Sequence, residues 1–74
     1  MYYVTTTGYK NMLAVIDMKT GARVSIITLR GGEVDGNPII TGDRCSVIVK
    51  DGNVRRGLIY KIPKGTFITD FRIT

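Results

Sequence analysis

The residues best equipped for chemistry are cations. Arg44, Lys50, Arg55, Arg56, Lys61 and Lys64 crowd between positions 44 and 64. Long cationic side chains neutralise phosphates, and phosphate contacts supply most of the sequence-independent affinity for nucleic acid. Gly57, inside the same run, would let a backbone or a base come close. The competing use is a solvated outer face whose lysines keep strand edges from aggregating.

Catalysis has far less to work with. The chain has no His, which removes the usual proton-transfer group near neutral pH. Ser25 and Ser46 therefore have no imidazole to activate them. Asp35, Asp43 and Asp51 fall in turn contexts, where Asp bonds its own neighbouring backbone. Cys45 lies on the apolar phase of a strand pattern, where a thiol is inert packing. One Cys and no His also exclude an internal disulfide and an ordinary zinc site. Gly31-Gly32 lacks the Lys-Ser/Thr and the helix of a phosphate loop. Arg30-Gly31-Gly32 is a single RGG triplet, read as a strand end followed by a loop. The expectation is a protein that is not an enzyme and has no cofactor and no metal.

Aromatic rings could supplement the cations, because small barrels that bind single strands combine a basic groove with exposed rings. Tyr2 and Tyr3 must point to opposite faces of a strand, which exposes one of them. Tyr9 stands beside Lys10 in a loop. Phe67, Phe71 and Tyr60 are expected in the core.

The elements that must position these residues are strands. The chain has 74 residues, enough for one domain with a thin core. Its formal charge of +5 suits nucleic acid, an anionic surface or an acidic partner, and is also ordinary for a small soluble domain. The N-terminus lacks the basic start and apolar run of a signal peptide, and no apolar run approaches a membrane span. A lone Cys fits a reducing compartment, so the expected location is cytoplasmic.

Val, Ile and Thr dominate, no helical period is present, and glycines cut the chain into short pieces. Strands are expected over 2–7, 12–18, 23–30, 45–50, 53–62 and 66–73, with Ile39-Ile40 a short strand or strand opening. Lys19-Thr20-Gly21-Ala22 reads as a hairpin turn with Gly21 at positive φ. Asp51-Gly52 reads as a two-residue hairpin loop. That loop pairs Lys50 with Asn53, Val49 with Val54, Val47 with Arg56 and Cys45 with Leu58. One face then holds Cys45, Val47, Val49, Val54, Leu58, Tyr60 and Ile62. The other holds Arg44, Ser46, Lys50, Asn53, Arg55, Gly57 and Lys61. Arg56 is a misfit on the apolar face, which a bulge near Gly57 would rotate out. In the last strand Phe67, Phe71 and Ile73 should point inward, and Thr66, Asp70 and Arg72 outward.

Short strands with tight turns close best into a small antiparallel barrel of five or six strands. The run Gly42-Asp43-Arg44-Cys45-Ser46-Val47-Ile48-Val49-Lys50-Asp51-Gly52 is similar to the turn-then-strand opening of SH3-like barrels. That resemblance, and the lack of a helix, favour an SH3-like over an OB-like barrel. The 12–18 strand is apolar on both faces, so Met12, Ala14, Ile16 and Met18 form a candidate interface with another subunit or an obligate partner. The loop 31–38 is Gly-rich and acidic through Glu33 and Asp35, with Val34 either a contact or an anchor. Its charge could meet the basic hairpin of a second copy.

Two functions remain. The first is a basic β-barrel binding nucleic acid, or acting within nucleic-acid machinery, through the six cations above. The second is a self-associating or protein-binding assembly module, such as an inhibitor or accessory factor encoded by a phage or mobile element.

Overall fold

A computed structural model describes residues 1–73. No helix occurs among them, so none is long and apolar enough to cross a membrane. The strands are β1 (Tyr2–Thr6), β2 (Met12–Asp17), β3 (Arg23–Thr28), β4 (Glu33–Val34), β5 (Ile39–Thr41), β6 (Arg44–Asp51), β7 (Val54–Lys61) and β8 (Thr66–Arg72). There are eight rather than five or six because the acidic loop contributes β4 and Ile39-Ile40 opens β5.

Two antiparallel sheets result. The smaller has the order β1-β2-β3. The larger has the order β4-β6-β7-β8, with β5 also paired to β6. Neither sheet closes into a barrel. The layers stack into a flat body of 39 × 24 × 16 Å. It exposes 4924 Å², against about 4,500 Å² for a compact monomer of this mass.

Alternation builds the core. Leu13, Val15 and Ile27 point in from the smaller sheet. Cys45, Val47, Val49, Leu58 and Tyr60 point in from the larger, and all these belong to one hydrophobic cluster. Tyr2, Val4, Val34, Ile40 and Phe67 pack around its margin. Val34 is therefore an anchor for the acidic loop, not a free contact. At one seam between the sheets, Ser25 Oγ donates to the Pro63 carbonyl. At another, the Arg30 guanidinium lies 4.1 Å from the centre of the Phe67 ring. Burial pushes the Cys45 thiol up to about 11, so the neutral form is strongly favoured and the inert reading of this residue fits. Burial also raises the Tyr60 hydroxyl, partly offset by the nearby Arg30 backbone, with which it makes no hydrogen bond of ordinary geometry.

Three expectations need correction. First, the β6–β7 loop is Gly52-Asn53, so Asp51 faces Val54, Lys50 faces Arg55, Val49 faces Arg56 and Cys45 faces Tyr60. Gly52 has φ 61° at the first loop position, the glycine-first pattern of a type II′ hairpin. The expected pairing is displaced by two residues, which preserves which face each residue occupies. Second, no bulge rotates Arg56. The β6–β7 register is unbroken, and Arg56 stays on the inward phase at the open end of the core. There it is half-buried and reaches Asp70 at 3.5 Å. Third, it is β8 and not β7 that carries a bulge in this part of the sheet. Tyr60 faces Phe67 and Ile59 faces Thr69, so Ile68 is the extra residue. Beyond it the phase reverses: Asp70 and Arg72 join the inward phase, while Phe71 turns outward and is 52% exposed. Ile73 follows it out and is also exposed.

Candidate nucleic-acid interface

Strand register assembles this surface. On the outer face of the larger sheet, Arg44 stands directly opposite Lys61, and Lys50 directly opposite Arg55. Both pairs belong to the outward phase and all four side chains are exposed. Six residue steps along β6 separate the two rows, a span of about 20 Å. Lys64 follows in the turn after β7, where the Gly65 amide bonds the Lys61 carbonyl at 2.8 Å. Five of the six candidate cations therefore belong to this side of the sheet or its rim. Arg56 does not, and its partner is Asp70.

The two rows differ electrostatically. Arg55 is 3.2 Å from Asp35, and Glu33 stands opposite Lys50 across β4 and β6. The acidic loop thus meets the basic hairpin within one chain, which is where its charge was expected to meet a second copy. No ion pair of Arg44, Lys61 or Lys64 is found among the described residues. Their end of the face carries the available positive charge.

Between the rows lies an apolar strip that the residue pattern did not reveal. Ile48, Gly57 and Phe71 form one cross-strand row. With Ile39 and Ile73 they line a groove of about 280 Å³. The tip of the Phe71 ring covers Gly57. A Cβ at Gly57 would fall 2.7 and 2.8 Å from the two Cε atoms of that ring. Gly57 does allow the close approach expected of it, but the group that approaches is the chain's own Phe71. The signal that could have found this strip is the pair Ile48 and Ile59, apolar residues on the outward phase of two otherwise polar faces. The β8 bulge that delivers Phe71 has no Gly or Pro to announce it.

The other outer surface belongs to β1–β3. Met12, Ala14 and Ile16 occupy the outward phase of β2, as expected, flanked by Tyr3 and Thr5 on β1 and by Ile26 and Thr28 on β3. Arg23 is the cation among these cross-strand partners. Ala14 is buried within the chain by its neighbours, and Met12 and Ile16 are half-buried. Met18, in the following turn, is exposed. Tyr2 points into the core and Tyr3 out; Tyr9 is exposed beside Lys10 in the β1–β2 loop.

No cluster of His, Cys, Asp or Glu that could hold a metal occurs among the described residues. No family model, curated protein or solved structure matches the chain.

Proposed function

We propose that this chain is a small non-catalytic module that binds nucleic acid on the outer face of its larger sheet, in the cytoplasm. The observation that carries the reading is the β6–β7 register, which gathers Arg44, Lys50, Arg55 and Lys61 on one face. Arg44, Lys61 and Lys64 supply the phosphate contacts; Lys50 and Arg55 are partly neutralised by Glu33 and Asp35 and contribute less. Arg56, on the inward phase and paired with Asp70, stands apart from this face. The buried, neutral thiol of Cys45 and the absence of His support a binding role over catalysis. An SH3-like relation is part of this reading: the Ser25–Pro63 bond draws β3 onto the turn after β7, where such a barrel would close. The test is fluorescence anisotropy of labelled oligonucleotides at low and moderate salt. Binding that weakens as salt rises supports the reading, and no binding at either salt overturns it.

One observation favours a second reading, self-association through the β1–β3 sheet. Tyr3, Ile26, Met18 and Val24 are exposed large apolar residues on or beside its outer face, and Arg23 is the only cation there among the cross-strand partners. A second copy could cover that face without setting like charges against each other. Light scattering decides it: a dimer mass that Ile26→Lys reduces to the monomer supports self-association, and a wild-type monomer at high concentration excludes it.

A further inference from the structure

We propose that the nucleic acid taken by this face is single-stranded, and that a base stacks on Phe71. The inference rests on the nucleic-acid reading above and deepens it. The Phe71 ring packs on Gly57 from the protein side and leaves about half of its surface open to a ligand. Phe71 is 52% exposed, held over Gly57 at the centre of the face, and bordered by Ile39, Ile48 and Ile73. It lies about 13 Å along the sheet from the Arg44–Lys61 row and about 7 Å from the Lys50–Arg55 row. A polyanion fixed by its phosphates at Arg44 and Lys61 would therefore pass its next units across the ring. Aromatic rings bind bases by stacking whatever the sequence.

A duplex cannot use this arrangement. Its bases are already stacked on each other and present only their edges. The major groove, about 12 Å wide, admits a two-stranded ribbon. This face is four strands across, about 14 Å between the outer backbones before side chains are added. A single strand lies across such a surface with its bases turned towards the protein. DNA and RNA strands share the required phosphates and unpaired bases, so both are included as probes.

The experiment uses the full chain with labelled single-stranded DNA, single-stranded RNA and duplex DNA of roughly ten units. The expected result is single-strand binding at least tenfold tighter than duplex binding. Phe71→Leu should weaken it roughly 5- to 100-fold without changing the salt dependence, because stacking carries no charge. Preference between the DNA and RNA probes identifies the source of the strand. Equal affinity for duplex and single strand, with Phe71→Leu silent and an Arg44→Ala/Lys61→Ala chain weakened, would overturn stacking and leave the nucleic-acid reading standing. Failure of every probe to bind would overturn both. An independent measurement on the unaltered chain guards against a misfolded variant. A 2-aminopurine base in the single-stranded probe should change its fluorescence on stacking against the ring, and an unchanged signal in a fully bound probe overturns the inference.

Discussion

The outward residues of β2 are Met12, Ala14 and Ile16; those of β6 are Arg44, Ser46, Ile48 and Lys50. The inward residues of the same two strands, Leu13 and Val15 against Cys45, Val47 and Val49, are chemically alike and share one core. Each strand is paired on both sides, so hydrogen bonding does not distinguish them. The difference lies wholly in the outward phase. One outer surface has Arg23 as the cation among its paired positions. The other has four cations in two cross-strand rows with an apolar strip between. The inward phase makes the fold and could belong to many proteins. The outward phase is free of that duty, so it is where this chain's function should be read.

Several changes would break or sharpen this comparison. The largest effect should come from the shared core. Leu13→Ala and Leu58→Ala each remove a fully buried side chain and should each cost about 2–5 kcal/mol, read from urea unfolding. Loss of less than about 1 kcal/mol from Leu13→Ala would mean the smaller sheet is not integral to the fold, and the comparison of equal cores would fail.

Next, removing both Arg44 and Lys61 should flatten the salt dependence of binding. The slope of log K against log salt should fall in magnitude by about 1.4, at roughly 0.7 per phosphate on a single strand. Arg23→Ala, on the opposite surface, should leave that slope unchanged. Equal effects from the two surfaces would mean binding follows net charge and not this face.

Alkali should act on the core and spare both surfaces at first. The folded chain holds the Cys45 thiol neutral, raising it from 9.0 to about 11. A raised acid contributes stability that is complete below pH 9 and is lost as pH climbs towards 11. Melting curves between pH 8 and pH 11 should show this fall, and Cys45→Ala should shrink it to the part that the raised Tyr60 hydroxyl contributes at the alkaline end. The native thiol should also resist a disulfide reagent until the chain unfolds.

The smallest effect should come from Arg55→Ala. Its partner Asp35 already occupies it, and exposed ion pairs are worth only about 0–1 kcal/mol. Affinity should move less than for Arg44→Ala, and stability should fall by no more than about 1 kcal/mol, the worth of the lost Asp35 pair. A larger loss at Arg55 would shift the site to the Lys50 end of the face.

Much of this was legible in the residue pattern because period-two alternation is strong wherever a strand has one buried face. Cys45, Val47, Val49, Leu58, Tyr60 and Ile62 are all buried as that pattern requires, even though the hairpin loop is one position further on. A two-residue error in pairing is invisible to alternation, since it returns every side chain to the same face. A one-residue bulge is not, and it misplaced Phe71, Ile73, Asp70 and Arg72. Nothing in Phe67-Ile68-Thr69-Asp70 marks Ile68 as extra, because bulges are settled by the partner strand and by packing. Arg56 was legible as a misfit but not as the partner of Asp70, since that pairing depends on the same bulge. The candidate cations were legible singly. Their division into an open end and a neutralised end depends on where the loop 31–38 folds back, which composition does not encode.

The most direct test is the salt dependence of binding by the unaltered chain to a single-stranded oligonucleotide. Contacts from Arg44, Lys61, Lys64 and Lys50 predict a slope of about −2 to −3 in log K against log salt. A slope near zero, or no binding at low salt, would contradict the account and leave the cations as a solubilising surface.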